Sequence, residues 1–343
     1  MVLTEAEIQV LIILIELEEP IETLNNNFYQ FHPKSLEEAA TYIRELRLEW
    51  DEAYEKLLEE GLITKEKSGY SLTGEGILRA RQARYDRPPI YYWYREFFPA
   101  AAHSRAYAEF CERLYGKYLC QAGFSDMQQI DDMIGLLNLN SNSRVLDLGC
   151  GTGMLAEYIS DTTAARLWGM DYCPEAVEIA NSRTETKRER LTYQVGNLDH
   201  LDFPEKYFNV ILSIDSLYMP NHLDKTLHKM TRLLKPGCSI AAFYTQMIWG
   251  SSVDRETLLP EKTPLGEALL RLGLLFETHN YSRQTYQLMQ SKRKIGEAMK
   301  PLFENEGNDL LYKFIINESE SSLASYDPDT CTFTRYLYHI KVP

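Results

Sequence analysis

The sequence has no apolar run that could cross a membrane. Its longest apolar stretch near the start of the chain, residues 10–15, is far shorter than the roughly 20 residues that a membrane-spanning helix needs. Acidic residues flank this stretch, whereas a secretory signal peptide begins with basic ones. The expectation is a cytoplasmic protein without a membrane partner.

Metal-ligand spacing and paired cysteines are also missing. The six cysteines form no Cys-x-x-Cys pair, and the seven histidines show no regular spacing. Scattered cysteines in a reducing compartment are expected to stay as free thiols. The sequence therefore predicts neither a disulfide framework nor a metal site.

Basic residues are in the minority. The chain holds 36 Lys and Arg against 50 Asp and Glu, a formal net charge of −14. A surface of that sign repels phosphate backbones, so a nucleic acid is not an expected partner. At 343 residues, 44% of them hydrophobic, the chain is long enough for two domains with separate cores.

Residues 1–86 are predicted to form a small helical domain that resembles a winged helix. Thr4 and Glu7 have the spacing of a capping box, and apolar residues follow at helical intervals. The predicted order is helix, helix, helix, hairpin, helix. These elements are a helix ending by Pro20, a helix after Ser35, a helix over residues 48–60, a hairpin over residues 62–72 and a helix from Thr73 to Arg84.

Charge decides between DNA binding and other roles for this domain. Its third helix is the one that would enter DNA, and it carries six acidic residues against Lys56 alone. Phosphates would repel such a helix. We therefore expect a dimerisation or lid domain in a homodimer.

Residues 87–142 are predicted to form an aromatic linker followed by cap helices. Prolines interrupt regular structure across residues 88–99, and six aromatic residues lie within residues 91–98. Aromatic residues at this density are expected to be buried, either between domains or subunits or in the wall of a substrate pocket. A helix over about residues 104–121 and a shorter one ending near Asn138 follow.

Residues 144–153 are predicted to be a strand that runs into a glycine-rich loop, with a helix after it. Gly149, Gly151 and Gly153 let the backbone turn sharply and approach a ligand closely, because side chains there would collide with it. Asp147 lies at the end of the strand, where its carboxylate can accept a charge-assisted hydrogen bond. The pattern indicates a nucleotide-type binding loop.

Asp171 is predicted to end a second strand, residues 166–172. A carboxylate there can bind both hydroxyls of a ribose, as the acidic residue about 20 positions downstream does in dinucleotide sites. A third strand leads to residues 196–197, beside the position of an adenine. A fourth strand covers residues 207–215, and residues 233–237 turn into a fifth.

Residues 143–245 resemble the class I S-adenosyl-L-methionine (SAM) methyltransferases, especially the branch of ubiquinone, menaquinone and small-amine methyltransferases. The resemblance implies an α/β fold: a Rossmann-like, seven-stranded, mostly parallel sheet with helices on both faces. The methyltransferase domain would span residues 143–343. An antiparallel pair of strands, residues 275–281 and 332–341, would flank a helical cap insertion at about residues 282–330.

The same resemblance implies SAM as the cofactor. Asp147 and the glycine loop would hold its methionine part and Asp171 its ribose. Tyr172 would pack on the adenine, with Asn197 and Leu198 at its edge. The family usually has Asp in place of Asn197, but an amide keeps an acceptor for the adenine amino group and adds a donor. The implied cofactor residues are Asp147, Gly149, Cys150, Gly151, Gly153, Asp171, Tyr172, Asn197, Leu198 and Ser213.

A nicotinamide-dependent oxidoreductase is the alternative interpretation of the loop. The glycines are spaced G-x-G-x-G rather than G-x-G-x-x-G. Asp147 precedes them, and Leu-Leu-Lys-Pro-Gly follows downstream. All three features favour SAM.

Candidates for catalysis and substrate binding follow from the expected reaction. Methyl transfer is an in-line displacement, so a general base is needed only if the acceptor must lose a proton. Tyr218 and His222, after the fourth strand, are the leading candidates, ahead of His103. The alternative for each is a structural role. The predicted pocket residues, which could equally be core residues, are Tyr107, Tyr115, Tyr118, Tyr244 and Trp249.

The resulting hypothesis is a SAM-dependent methyltransferase that acts on a small, partly apolar metabolite at nitrogen or oxygen. A SAM-sensing transcriptional regulator is one alternative, which the acidic third helix opposes. A protein or RNA methyltransferase is another, which the negative charge and the cap oppose.

Overall fold

The computed structural model contains two compact units, Met1–Trp93 and Tyr94–Pro343, whose boundary falls inside one helix. In the described part of the chain, no helix is both long and apolar enough to cross a membrane. The described residues are 2–19, 50–67, 69–87, 90–247, 255–324 and 333–343.

The first unit begins with the predicted capping box. The Thr4 hydroxyl accepts a hydrogen bond from the Glu7 backbone at 3.3 Å, and the Glu7 carboxylate accepts one from the Thr4 backbone at 2.9 Å. The hairpin and the helix capped by Thr73 are also confirmed. The predicted second helix lies outside the described residues, so the winged helix stays a prediction. The elements are α1 (Glu5–Glu18), α2 (Trp50–Glu59), β1 (Ile63–Glu66), β2 (Gly69–Leu72) and α3 (Gly74–Asp86).

Burial separates the two faces of α2. Trp50, Ala53 and Leu57 are buried against α1, and the Trp50 indole donates to the Gln9 side chain at 2.9 Å. The opposite face is solvent-exposed and acidic, as its sequence predicts. Its exposed acidic residues, with the one that follows the helix, are Asp51, Glu52, Glu55, Glu59 and Glu60.

The aromatic linker predicted at the start of residues 87–142 is wrong for most of its length, because Tyr91–His103 forms a helix, α4. Pro99 lies inside it and costs about 3 kcal/mol, since it cannot donate to the preceding turn. Phe97 and Phe98 are both buried, and each contributes roughly 1.5–3 kcal/mol. Aromatic burial thus offsets the proline.

The next helix is shorter than predicted. α5 (Arg105–Tyr115) ends where Gly116 adopts a left-handed φ of 89°, a conformation that glycine tolerates best. The following helix, α6 (Met127–Leu137), ends at Asn138 as predicted, with the asparagine also left-handed. The segment between the two helices, residues 116–126, is therefore not helical, and it can line a binding site.

The second unit is built on the predicted seven-stranded sheet. Its order is β5-β4-β3-β6-β7-β9-β8, parallel from β5 to β7 and antiparallel for β9 against both neighbours. The elements are β3 (Arg144–Leu148), α7 (Met154–Thr163), β4 (Arg166–Asp171), α8 (Pro174–Arg183), β5 (Leu191–Val195), β6 (Phe208–Ile214), α9 (Leu223–Leu233), β7 (Leu234–Met247), α10 (Pro264–Arg271), β8 (Leu275–Asn280), α11 (Ser282–Asn305), α12 (Asp309–Ala324) and β9 (Phe333–Lys341).

The strand order fixes where a ligand binds. From β3 the chain moves outward through β4 and β5, and it then returns to place β6 on the other side of β3. Such a reversal opens a crevice beyond the carboxyl ends of the two central strands. The helical insertion predicted between the last two strands is present as α11 and α12, which pack on each other.

Candidate functional site

A cavity of about 950 Å³, counting its open mouth, lies at the carboxyl ends of β3, β4 and β6. The glycine loop, α4, the segment after α5 and the loop after β6 form its walls. Its lining is mostly apolar apart from three carboxylates. The lining residues are Tyr94, Phe98, Leu119 to Gly123, Ser125, Ile130, Asp147, Gly149 to Thr152, Leu155, Asp171, Tyr172, Ile214 to Ser216 and Met219.

Two glycines of the loop leave no room for a side chain. Gly149 has φ 82°, and a Cβ there would lie 2.6 Å from the Cβ of Ser216. Gly151 has φ 51°, and its Cβ would lie 3.0 Å from the Phe98 ring. The backbone itself therefore forms the floor of the cavity, as the glycine pattern predicts.

Asp171 stands at the end of β4 and binds the loop from the side. Its carboxylate accepts hydrogen bonds from the backbone of Gly151 at 2.8 Å and of Cys173 at 2.9 Å. Burial raises the pKa of this carboxyl to about 6. The backbone of Tyr172 donates to the same carboxylate. A carboxylate has about four acceptor positions, so one remains for a ribose hydroxyl.

Asp147 is the buried carboxylate that most needs a partner. One of its oxygens, Oδ2, has no hydrogen bond to any described residue. Burial, and next the charge of Asp171, raise the pKa of Asp147 to about 7. An unpaired buried carboxylate is costly, and a cationic ligand would remove that cost. The cavity therefore fits SAM, whose sulfonium and ammonium groups are both positive.

The other predicted cofactor residues divide into two groups. Cys150 and Tyr172 line the cavity. Gly153 packs instead against Tyr193, whose ring would lie 2.6 Å from an added Cβ. Ser213 supports the wall from behind, because its hydroxyl lies 2.6 Å from that of Ser216. The structure does not place Asn197 and Leu198 in the lining.

The predicted pocket tyrosines lie behind the wall rather than in it. The hydroxyl of Tyr107 donates to the carbonyl of Gln121 at 2.6 Å, and that of Tyr115 donates to the carbonyl of Gly123 at 3.0 Å. Both carbonyls belong to the lining segment. Tyr118 donates in the same way to Ala101 at 3.0 Å. These three tyrosines therefore hold the segment in place.

The two remaining predicted substrate residues are Tyr244 and Trp249. Tyr244 is buried, and its ring lies 4.7 Å from that of Tyr218. Tyr244 is not among the lining residues. Trp249 lies outside the described residues.

The catalytic candidates are not brought together at the cavity. Tyr218 is buried, its hydroxyl donates to Asp215 at 3.0 Å, and it accepts from the backbone of Thr245 at 2.8 Å. Burial, followed by the charge of Asp215, raises the pKa of Tyr218 well above its usual value. His222 and His103 are both exposed and outside the lining. Among the described residues, no group of His, Cys, Asp or Glu is arranged to hold a metal ion.

Tyr94, Phe98 and Asp215 line the cavity although none was among the predicted site residues; the first two belong to the aromatic segment for which a pocket wall was one of the predicted alternatives. Tyr94 and Phe98 lie one helical turn apart on α4, with stacked rings 5.2 Å apart, and Tyr94 also contacts the Tyr172 ring at 6.0 Å. Their i, i+4 spacing was the available signal. Asp215 follows β6 with a φ of 55° and is bound by Arg335 of β9. The only hint of Arg335 was a charged residue within an apolar strand.

Comparison with known proteins agrees with this geometry. Residues 145–237 match the family model described as a methyltransferase domain. A phosphoethanolamine N-methyltransferase of Plasmodium falciparum is 30% identical over 131 residues, which is 36% of this chain and 47% of that protein. The chain spans about half the length of the curated relatives it matches.

Solved structures share the fold at low identity. The phosphoethanolamine N-methyltransferase 2 of Haemonchus contortus in complex with SAM has a TM-score of 0.58 at 17% identity, covering 73% of this chain and 59% of that one. The [4+2]-cyclase SpnF has a TM-score of 0.52 at 18% identity, covering 69% of this chain and 93% of that one. The predicted fold class is thus confirmed. Residues 145–237 are similar to methyltransferase domains, and the cavity residues fit the predicted cofactor, SAM.

Proposed function

We propose that the protein transfers a methyl group from SAM to nitrogen or oxygen of a small, partly apolar metabolite. The observation that carries this proposal is a single cavity in which two cofactor-type carboxylates, Asp147 and Asp171, face an aromatic wall. When bound, SAM supplies a methyl group on a positively charged sulfur. The residues of the chain then bind, orient the two reactants and exclude water.

Each part of the cavity has a separate task in this proposal. Asp171 binds the ribose, and Asp147 faces the positive charge of the methionine part. Tyr94 and Phe98 cover the glycine loop, and their ring faces favour a cation by electrostatic attraction. None of these tasks requires a general base. The buried and hydrogen-bonded Tyr218 is better suited to a structural role than to proton transfer.

The wall supports a small acceptor. The lining is formed from six separate stretches of the second unit, and it is apolar over most of its surface, as in pockets that enclose metabolites. Names of relatives point the same way, since they specify phosphoethanolamine, demethylmenaquinone and sterols as methylated compounds. The proposed branch is therefore that of small-molecule methyltransferases.

The test is a labelled-methyl transfer screen. The protein is incubated with SAM carrying a deuterated methyl group and with a metabolite extract, and products are followed by mass spectrometry. We expect a small molecule to gain the labelled methyl in the presence of the protein, and not with Asp171→Ala. Label found only in protein or RNA, or SAM bound without any transfer, would reject the proposal.

For the first unit we propose a role in homodimer assembly or as a lid, in a cytoplasmic protein. The exposed acidic face of α2 supports a role other than DNA binding. We expect a dimer in light scattering and no duplex binding at physiological salt. Tight, sequence-selective binding in a gel-shift assay would instead favour the regulator.

A further inference from the structure

One carboxylate in the cavity belongs to neither cofactor loop. Asp215 follows β6 and lines the cavity beside Ser216 and Met219. Its φ of 55° is unusual for a residue with a side chain, and such strain persists only where the surroundings hold it. Of the three carboxylates that line the cavity, it is the one that has no role in the proposed binding of the cofactor.

The surroundings hold this carboxylate by three hydrogen bonds. Arg335 donates to Oδ1 at 2.5 Å and to Oδ2 at 2.9 Å, and the Tyr218 hydroxyl donates to Oδ1 at 3.0 Å. A carboxylate has about four acceptor positions, two on each oxygen. Oδ1 has both positions filled by described residues, whereas Oδ2 has one left.

Gly123 packs closely against Oδ2. A Cβ added to Gly123 would lie 3.0 Å from Oδ2 of Asp215, closer than most real Cβ contacts. Both residues line the cavity. Glycine is not needed there for its backbone, because its φ lies outside the left-handed region. A side chain at Gly123 would therefore crowd this fixed carboxylate at the cavity wall, and glycine avoids that contact.

We propose that Asp215 is the acceptor-binding residue, and that the acceptor, lying in the cavity beside Gly123, donates a hydrogen bond from an amine or hydroxyl to Oδ2. The inference rests on the proposed function and adds the chemical class of the acceptor. A carboxylate only accepts hydrogen bonds, so it selects a donor and repels an anion. Arg335 and Tyr218 keep the carboxylate fixed before the acceptor arrives.

The test compares two glycine-to-alanine variants. Gly123→Ala places a methyl group against Oδ2 and keeps every charge. Gly135→Ala is the matched control, since Gly135 is exposed on α6 and an added Cβ meets nothing within 4 Å. These variants are preferable to changes at Asp215, which would leave a buried arginine unpaired. The probes are benzylamine, benzyl alcohol and benzoate, titrated into the protein with S-adenosylhomocysteine present and followed by ligand-observed NMR.

We expect the amine, the alcohol or both to bind the wild type and Gly135→Ala equally, and benzoate to bind neither. Gly123→Ala should weaken that binding by about tenfold or more. Its affinity for S-adenosylhomocysteine should be unchanged. The probe whose binding Gly123→Ala weakens identifies the donor atom, which is nitrogen for benzylamine and oxygen for benzyl alcohol. Undiminished probe binding by Gly123→Ala, benzoate binding as tight as the others, or no probe binding at all would overturn the inference. If the wild type does not bind S-adenosylhomocysteine at all, the proposed function is rejected instead.

Discussion

Arg335 and Asp215 form a bidentate ion pair in the interior of the second unit, although they are 120 residues apart in the sequence. The guanidinium is fully buried and makes three further hydrogen bonds, to Gln129 at 3.1 Å and to Ser125 and Thr245 at 2.7 Å. It thus joins β9 to β7, to α6 and to two segments of the cavity wall.

Replacing this arginine should destabilise the protein strongly. Arg335→Met removes the guanidinium and leaves the Asp215 carboxylate without its charged partner. Breaking a buried ion pair in this way costs about 3–5 kcal/mol. We expect a loss of that size in the free energy of unfolding, measured by urea denaturation.

The control lies on the same strand. Lys341→Met breaks an exposed ion pair with Glu277, and it should leave the free energy of unfolding nearly unchanged because solvent screens such a pair. If the two variants lose similar free energies of unfolding, Arg335 is not the interior link described here.

Asp147 should make SAM binding depend on pH. Its pKa is raised to about 7 in the protein without ligand, and a positive ligand binds the ionised carboxylate better. The affinity for SAM should therefore fall as the pH is lowered through about 7, by up to about tenfold per pH unit from this group. Calorimetric titrations across this range measure the effect.

Asp147→Asn is the comparison that isolates this carboxyl. The titration of SAM itself is common to both proteins, and Asp171, whose pKa is about 6 in the wild type, titrates in both. The variant should bind more weakly at high pH and show a shallower dependence. Equal slopes for the two proteins would contradict the assignment.

In the protein without ligand, the Asp147 carboxyl has the opposite pH dependence: lowering the pH stabilises the folded state. Its pKa is higher in the folded protein, about 7, than its ordinary value of 3.8. The protonated form therefore favours folding, and this contribution is lost as the pH rises from about 4 to about 7. Asp147→Asn should reduce that loss in thermal unfolding.

The tyrosines behind the cavity wall should act on the wall rather than on a substrate. Tyr107→Phe and Tyr115→Phe each remove a hydrogen bond to a carbonyl of the segment 119–125, at about 1 kcal/mol of stability, and Tyr115→Phe also removes the hydrogen bond that its hydroxyl accepts from Lys292 at 3.4 Å. Hydrogen–deuterium exchange of that segment should increase, while SAM affinity is kept. Tyr281→Phe is the control, because its hydroxyl donates to Asp132 at 3.0 Å, away from the lining. Unchanged exchange in the first two variants would show that they do not hold the wall.

The sequence predicted the parts of the fold that have local causes. Thr4 and Thr73 cap the helices that follow them, and the glycines of the loop adopt the conformations that exclude side chains. The predicted position of Asp171 at the end of its strand is confirmed. It was predictable because the sequence pattern shows both the length of the strand and the position of the loop after it. The parallel sheet follows from alternating strands and helices.

The missed features depend on contacts between distant segments. The helix α4 persists through Pro99 only because Phe97 and Phe98 find a core. Sequence spacing placed Tyr107 and Tyr115 on one face, but their hydroxyls turn to carbonyls beyond the helix end that Gly116 sets. The pairing of two residues far apart in the chain, as of Arg335 on β9 with Asp215 after β6, leaves no periodic signal.

The most direct test of the cofactor site is a calorimetric titration of SAM into the wild type, Asp171→Ala and Asp161→Ala. Asp161 is the control, a partly exposed aspartate that pairs with Lys187 and lies outside the cavity lining. If Asp171 binds the ribose, Asp171→Ala should weaken SAM binding by about 1.5–3 kcal/mol, the range for hydrogen bonds to a charged group. Asp161→Ala should bind SAM like the wild type. Undiminished SAM affinity in a folded Asp171→Ala protein would contradict the assignment of this cavity.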